Sequence, residues 1–249
     1  MTDRNIRLVL GYDGTGFCGW QRQNNGRTVQ QVLEDALKAM HKHPVGTSAA
    51  GRTDSGVHAV GQVANFRSDI AGIPPEKYAA ALNSLLPRDV RVLDSREAPG
   101  EFHARFSAKA REYRYYIYPA IPCPPHMARY CRAVKRIPDL RLLDTFAASL
   151  IGEHDFATFT AAGDMSSSTV RLIDTASFFM EGPYIVFRVR ANAFLMRMVR
   201  SVVGTMMDLE RNGAGPGAMR DLLEARDRLI AGETAPAWGL FLHEVYYDG

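Results

Sequence analysis

The sequence predicts an α+β protein built of two lobes that contain antiparallel sheet. Strand-like and helix-like segments alternate irregularly along the 249 residues, and each half contains a strand–helix–strand set. A parallel, doubly wound sheet fits less well, because helices are too few and hairpin patterns too many. We place the boundary near residue 106, so that residues 1–106 form the N-terminal lobe and residues 107–249 the C-terminal lobe.

The clearest element of the N-terminal half is a helix with its own start signal. Thr28 and Gln31 have the spacing of a capping box, and apolar residues then recur at helical spacing. Pro87 is expected to stop a second helix, because proline interrupts helical hydrogen bonding. The predicted strands are 6–10 and 90–93, and the predicted helices are 29–40 and about 76–86.

The C-terminal half begins with a long extended segment that is rich in basic and aromatic residues. Three prolines, Pro122, Pro124 and Pro125, then break the chain into a loop. A strongly apolar helix later in the chain ends at Asn212-Gly213. The extended segment is 102–118, within which 111–118 could form a strand. The predicted strands are 169–180, 184–189 and 240–247, and the predicted helices are 138–150, 194–210 and 219–229.

The composition indicates a soluble globular protein, with 46% hydrophobic and 23% charged residues. No apolar run approaches the ~20 residues needed to cross a bilayer, and the N-terminus has no apolar signal segment. We therefore expect a cytoplasmic protein. Cys18, Cys123 and Cys131 lack the CxxC spacing of zinc or redox sites, so we expect reduced thiols. The net charge of +3 is too small by itself to indicate a nucleic-acid partner.

The densest polar segment surrounds Asp54, which is flanked by Gly51 and Gly56 and followed by His58. Glycines permit a tight loop that approaches a ligand closely. The adjacent Arg52 favours the ionised carboxylate, and an ionised, positioned carboxylate can attack an electron-poor carbon. From these residues alone, a surface turn in which Arg52 pairs with Asp54 is the commoner arrangement.

A second cluster interleaves basic and aromatic side chains between residues 102 and 116. Strand alternation would put Tyr113 and Tyr115 on one face, and Arg114 and Tyr116 on the other. Basic groups neutralise phosphates, and aromatic rings stack on unpaired bases. An edge strand with a solvated basic face explains the same pattern equally well.

Two arginines, Arg197 and Arg200, lie on the otherwise apolar helix 194–210. Arginine is rarely buried without a partner, so Arg200 could face a buried carboxylate, with Asp54 as a candidate. An exposed stripe on an amphipathic helix accounts for both arginines equally well. The histidines show no metal-ligand spacing, and no P-loop or GxSxG segment occurs.

Taken together, these segments resemble the bacterial tRNA pseudouridine synthase A family over nearly the whole chain. Several ordered motifs at family-like separations are far more specific than any one of them. The motifs are Tyr12-Asp13-Gly14, Gly19-Trp20-Gln21-Arg22-Gln23, Thr28-Val29-Gln30, Gly51-Arg52-Thr53-Asp54-Ser55-Gly56-Val57-His58, Leu86-Pro87-Arg88-Asp89, Phe102-His103-Ala104-Arg105-Phe106, Tyr113-Arg114-Tyr115, Met198-Val199-Arg200 and Gly239-Leu240-Phe241-Leu242.

The resemblance implies a role for several individual residues. The aspartate of the Gly-Arg-Thr-Asp motif is the nucleophile, which falls on Asp54. The first tyrosine of the Tyr-Arg-Tyr motif stacks on the target uracil and takes part in removing the C5 proton, which falls on Tyr113. The arginine of the Met-Val-Arg motif pairs with the nucleophile, which falls on Arg200. The residues expected to contact RNA are Arg52, which also helps to extrude the base, and His58, Tyr113, Arg105 and Arg22.

The implied activity is the isomerisation of uridine to pseudouridine in the anticodon stem-loop of tRNA, at positions 38, 39 and 40. This reaction needs neither redox chemistry nor hydrolysis, so no cofactor and no metal is expected. The implied fold has two ferredoxin-like lobes whose antiparallel sheets form one extended sheet, with helices on the outer faces and an RNA-binding cleft between the lobes. The expected partners are tRNA and a second copy of the chain in a homodimer, with no membrane.

Three positions depart from the family pattern. Arg197 stands where the family often has histidine, Ser201 where asparagine is common, and Ser55 where alanine is frequent. A synthase with another RNA target and a non-catalytic RNA-binding protein are the alternatives. A glycoside hydrolase would need a second catalytic acid, and nothing in the sequence nominates one.

Overall fold

The computed structural model describes residues 3–119 and 122–248. Within these residues it contains ten β-strands and five α-helices, which confirms the α+β prediction. The strands are β1 Arg4–Tyr12, β2 Ser48–Ala49, β3 His58–Ser68, β4 Val90–Ala98, β5 Ala110–Tyr118, β6 Arg132–Ala133, β7 Gly152–Asp155, β8 Val170–Glu181, β9 Tyr184–Ala191 and β10 Leu240–Tyr246. The helices are α1 Val29–His41, α2 Tyr78–Asn83, α3 Leu140–Ala148, α4 Met198–Arg211 and α5 Ala218–Ala225.

The chain divides into two compact units, one formed by Met1–Lys109 with Phe241–Gly249 and the other by Ala110–Leu240. The last residues therefore belong to the first unit, whereas the sequence-based division assigned them to the C-terminal lobe. The reason is that β10 runs parallel to β3, with Phe241 opposite His58. Periodicity along the chain carries no information about a pairing between segments so far apart in sequence.

In the first unit, β1 pairs antiparallel with both β3 and β4, which gives the strand order β4-β1-β3-β10. Ile6, Leu8 and Leu10 alternate along β1 and are fully buried, as expected for a strand with one face on the core. The predicted start of α1 is confirmed, because the Thr28 hydroxyl accepts a hydrogen bond from the Gln31 amide at 3.3 Å.

The second helix is shorter than predicted, because α2 ends at Asn83 and does not reach Pro87. The Asn83 side chain donates to the Val92 carbonyl at 2.8 Å and accepts from the Val92 amide at 2.9 Å. The Asn83 side chain therefore bonds to the backbone of β4 as a neighbouring strand would, and α2 ends at this residue. The helical spacing of apolar residues does not indicate such side-chain bonds to distant backbone.

The extended segment predicted over 102–118 is wrong in its first part, since only β5 is a strand. Residues 103–107 form a turn in which the Ser107 amide donates to the His103 carbonyl at 2.9 Å. The Ser107 hydroxyl in turn accepts from the His103 amide at 3.1 Å. Buried Asn65 of β3 accepts from the Ala104 amide at 2.9 Å and so fixes the turn. Short polar side chains that bond to backbone compete with strand formation in this way.

In the second unit, antiparallel pairing gives the strand order β5-β9-β8-β7, with β6 beside β5. The predicted hairpin is thus confirmed as β8 and β9. The predicted alternation of β5 is also confirmed, because Tyr113 and Tyr115 are buried whereas Arg114 and Tyr116 are half-buried. None of the helices within the described residues is long and apolar enough to cross a membrane.

The apolar helix predicted over 194–210 begins later, at Met198. Arg197, immediately before it, has a φ of 60°, which is in the left-handed region. A left-handed residue cannot continue a right-handed helix, so the preceding residues are excluded from α4. Its predicted end is confirmed, because Asn212 caps α4 and Gly213 follows with a φ of 70°.

Candidate active site

Asp54 lies in the loop that joins β2 to β3 in the first unit, and the residue is half-buried. Its carbonyl accepts a hydrogen bond from the Val57 amide at 3.1 Å, which closes a turn. On the following side, the Ser55 hydroxyl and the Gly56 amide both donate to the Phe17 carbonyl, at 3.2 and 3.3 Å. The chain after Asp54 is therefore held against the segment that follows β1.

Thr53 fixes the chain immediately before Asp54. Its hydroxyl lies 2.9 Å from the Tyr12 hydroxyl, and its carbonyl accepts from the Trp20 amide at 3.0 Å. Both partners are almost fully buried, so water does not compete for these bonds. The carboxylate of Asp54 thus projects from a backbone that is anchored on both sides.

Two supports of this loop, Tyr12 and Gln62, were not identified as such from the sequence. Gln62 has no exposed surface; it donates to the Gly51 carbonyl at 2.7 Å and to the Tyr12 hydroxyl at 3.4 Å. Burial raises the pKa of Tyr12 to about 12, against the smaller opposing effect of its hydrogen bonds with Thr53 and Gln62. A polar residue inside an apolar strand such as β3 is the signal that indicates a role of this kind.

Glycines permit the close approach of the loop to its neighbours. Gly19 has a φ of +85°, and a Cβ there would lie 2.5 Å from the Thr53 carbonyl oxygen. At Gly14, a Cβ would lie 2.1 Å from the Val57 carbonyl oxygen. Real Cβ atoms do not make contacts this short, so both positions require glycine.

His58 has a buried ring, with 1% of its surface exposed. Its Nδ1 accepts a hydrogen bond from the Gly14 amide at 3.0 Å, and its ring stacks on Phe241 with centroids 4.6 Å apart. These contacts join the end of the loop to β10. The contact with RNA that the resemblance implies for His58 stays a prediction.

Arg52 is exposed, and within residues 3–119 and 122–248 it forms neither an ion pair nor a hydrogen bond through its side chain. The arrangement in which Arg52 and Asp54 pair as a surface turn is therefore not the one found. Arg22 differs, because its guanidinium lies 3.1 Å from the Glu34 carboxylate. A cation without an internal partner is available to a phosphate at little cost to the fold.

Arg105 lies on the turn 103–107 and is exposed. Its guanidinium carbon is 5.6 Å from the centre of the Phe106 ring, and Phe106 is 76% exposed. The His103 ring lies on the same phenyl group, with centroids 4.4 Å apart. This turn presents a cation and an aromatic face side by side, a combination suited to a phosphate and an unpaired base.

Tyr113 lies on β5 of the second unit, opposite Val189 of β9. Its ring makes an edge-to-face contact with Phe194, with centroids 5.1 Å apart. The ring is therefore held in one orientation by the segment that precedes α4.

Arg200 lies in the first turn of α4 and is half-buried. Its Nε donates to the Ala235 carbonyl at 2.8 Å, and the Ala235 amide donates to the Arg200 carbonyl at 3.0 Å. Gly204, one turn later, permits this packing, because a Cβ there would lie 1.7 Å from the Glu233 carbonyl oxygen. The segment 233–235 thus sets the direction of the Arg200 guanidinium. Arg197, the other arginine considered from the sequence, is exposed.

The predicted site residues fall into two groups. Arg52 and Asp54 share one loop of the first unit and His58 begins β3 after it, while Tyr113 and Arg200 belong to β5 and α4 of the second unit. His58, Tyr113 and Arg200 are each held within their own unit by side-chain hydrogen bonds or ring contacts, and Asp54 is held through its backbone. Among residues 3–119 and 122–248, no three His, Cys, Asp or Glu side chains are placed to hold a metal ion.

Comparison with known proteins gives matches over nearly the whole chain. A family model described as tRNA pseudouridine synthase matches residues 9–107 and 146–248, which include Asp54 and Arg200 but not Tyr113. The tRNA pseudouridine synthase A of Treponema denticola is 47% identical, covering 98% of this chain and 93% of that protein. The proteins of the same name from Acetivibrio thermocellus and Caldicellulosiruptor saccharolyticus are each 40% identical, covering 98% of this chain and 100% of each relative.

Proposed function

The chain belongs to the tRNA pseudouridine synthase family, and from this premise we propose that it isomerises uridine to pseudouridine at positions 38, 39 and 40 of the tRNA anticodon stem-loop, with the Asp54 carboxylate as nucleophile. The observation that carries this proposal is the anchoring of the loop on both sides of Asp54. Thr53 is held by Tyr12 and Trp20, and residues 55–56 are held by Phe17. A reacting group that is already fixed loses little freedom when the substrate binds.

The reaction breaks the bond between ribose C1′ and uracil N1 and forms a bond between C1′ and C5. Uridine and pseudouridine contain the same atoms; the C5 proton leaves to solvent and N1 gains a proton. The balance therefore needs no oxidant and no second substrate. Both C1′ of the ribose and C6 of the uracil are electron-poor carbons that the Asp54 carboxylate can attack, and both routes end with the carboxylate released.

The target base must leave the stack before either carbon is accessible, at a cost of a few kcal/mol. We assign Tyr113 to stacking on the extruded uracil and to removal of the C5 proton, and Arg200 to pairing with Asp54. The edge-to-face contact of Tyr113 with Phe194 and the anchoring of Arg200 by Ala235 support these roles, since each side chain has a fixed direction.

Contacts with tRNA are assigned to the exposed cations of the first unit. Arg52 and Arg105 are exposed, and Arg22 is half-exposed beside Glu34; His58 supports the same loop. The net charge of +3 is small for a protein that binds a polyanion. We therefore include a homodimer in the proposal, because two basic surfaces can then act on one tRNA; light scattering of the purified protein tests this point.

Transcripts of one tRNA, tritiated at uracil C5, test the reaction and its positions together. Isomerisation frees the tritium from C5, whereas binding alone does not. We expect release from a transcript with uridine at positions 38, 39 and 40, and none when these three are cytidine. Equal release from both transcripts would contradict the positions and support another RNA target. Tight binding without release from either would support the non-catalytic alternative.

A further inference from the structure

Two cysteines of the second unit lie together in space. The Sγ atoms of Cys123 and Cys131 are 3.7 Å apart. Cys131 is buried, with 1% of its surface exposed, whereas Cys123 is half-buried. Their spacing in the sequence matches no redox or metal motif, so the proximity of the two thiols becomes evident only in the fold.

The loop between the two cysteines is already closed by backbone hydrogen bonds. The Met127 and Ala128 amides both donate to the Pro124 carbonyl, at 2.9 and 3.0 Å. The Cys131 thiol donates to the Met127 carbonyl at 3.3 Å. Because an S–S bond is about 2.05 Å long, the two sulfurs need to approach by only about 1.7 Å to be joined.

We propose that Cys123 and Cys131 are a site of reversible oxidation, at which a peroxide converts the two thiols into a disulfide bond. The loop lies outside the segments 9–107 and 146–248 that the family model matches. The proposal uses none of the predicted site residues, and it does not depend on the proposed function.

The oxidation proceeds in two steps that balance. The Cys123 sulfur attacks the O–O bond of hydrogen peroxide, which gives a sulfenic acid at Cys123 and one water. The Cys131 sulfur then attacks the Cys123 sulfur; the S–S bond forms, and the hydroxide that leaves takes the Cys131 proton as a second water. Two thiols and one peroxide thus give one disulfide and two waters, and a small dithiol reverses the change by exchange.

The order of the two steps follows from the surroundings of the thiols. Burial raises the pKa of the Cys131 thiol to about 12, and its hydrogen bond with Cys123 acts in the same direction. A protonated, buried thiol reacts slowly with peroxide. Cys123 is the more accessible sulfur and is therefore oxidised first, and Cys131 resolves the sulfenic acid.

The test uses full-length protein in which the exposed Cys18 is replaced, Cys18→Ser, so that no link between molecules forms through this residue. The protein is treated with an equimolar amount of hydrogen peroxide, and its remaining free thiols are blocked with N-ethylmaleimide. It is then digested with trypsin, and the peptide masses are measured by mass spectrometry. Cleavage after Arg129 separates the two cysteines, so a disulfide joins two tryptic peptides. We expect this linked pair, lighter by two hydrogen atoms than the free peptides, and two maleimides per chain after dithiothreitol treatment.

The matched variant Cys131→Ser lacks the resolving thiol. After the same treatment it should retain a sulfenic acid at Cys123 that dimedone captures, and its circular dichroism spectrum should show that it is folded. The proposal is overturned if the protein with both cysteines takes up two maleimides after peroxide, or if it accumulates sulfenic or sulfinic acid at Cys123 without the linked peptides.

Discussion

Replacing Gly19 with alanine tests whether the fixed loop around Asp54 makes its carboxylate effective. The new Cβ would lie 2.5 Å from the Thr53 carbonyl oxygen, and ordinary contact begins at 3.4 Å. The residue immediately before Asp54 must therefore retreat by about 0.9 Å, and the hydrogen bond from Trp20 to that carbonyl is disturbed. A misplacement of about 1 Å at a reacting group can lower turnover about 100-fold, or ~2.7 kcal/mol in activation free energy.

Stability must be separated from placement, because alanine at a φ of +85° also strains the backbone. That strain is about 1–2 kcal/mol per residue. Gly182, at the turn between β8 and β9, is the matched control, since its φ is +55° and a Cβ there would meet nothing within 4 Å. Gly182→Ala should lose only the ~1–2 kcal/mol in free energy of unfolding that strain alone costs and keep wild-type turnover.

The assay measures tritium release from C5-labelled tRNA at saturating substrate, with each rate divided by the folded fraction from urea unfolding. We expect Gly19→Ala to lose about 100-fold in kcat while its tRNA affinity changes little. Wild-type kcat in folded Gly19→Ala would refute the reasoning, because the loop would then tolerate displacement. A loss of kcat of the same size in Gly182→Ala would also refute it, since backbone strain alone would explain both.

Three further changes probe separate parts of the site. The pKa of Tyr12 is about 12 in the folded chain, whereas its ordinary value is 10.0. The unfolded chain therefore loses the phenolic proton at a lower pH than the folded chain does, so the free energy of unfolding falls between pH 10 and 12. Tyr12→Phe should remove about 1.4 kcal/mol per pH unit from that slope in urea unfolding, and an unchanged slope would exclude a buried phenol. Arg52→Gln should weaken tRNA binding and lower its salt-dependence exponent by about 0.7–1, whereas Arg96→Gln, which removes a cation paired with Asp94 at 2.6 Å, should leave both unchanged. Tyr113→Phe should abolish tritium release and leave tRNA binding within about tenfold; full activity would restrict Tyr113 to stacking.

The parts of the fold that are local in sequence could be predicted well. The cap of α1 at Thr28 and the alternation of β5 depend on residues a few positions apart, and side-chain spacing reports such contacts directly. The β8–β9 hairpin is local in the same sense. These predictions succeeded because nearest neighbours along the chain decide them.

The features that failed or were missed depend on distant partners. The turn 103–107 is held by Asn65, and β10 joins the first unit by pairing with β3. No periodic pattern encodes a hydrogen bond or pairing between residues this far apart.

The site shows the same division between local and distant information. The motif around Asp54 identifies the loop and its carboxylate, because these residues are contiguous. The supports of the loop, Tyr12 and Gln62, come from β1 and β3, and only the fold reveals that they hold Thr53 and Gly51. Residues that hold a reacting group are thus harder to find from sequence than the reacting group itself.

The most direct test of the central claim is tritium release from C5-labelled tRNA by Asp54→Asn and Asp54→Ala. Asparagine keeps the shape of the side chain and removes its charge, while alanine removes both. If Asp54 is the nucleophile, both variants release no tritium, and both bind tRNA within about tenfold of wild type, or ~1.4 kcal/mol. Release at the wild-type rate by either folded variant would contradict the account.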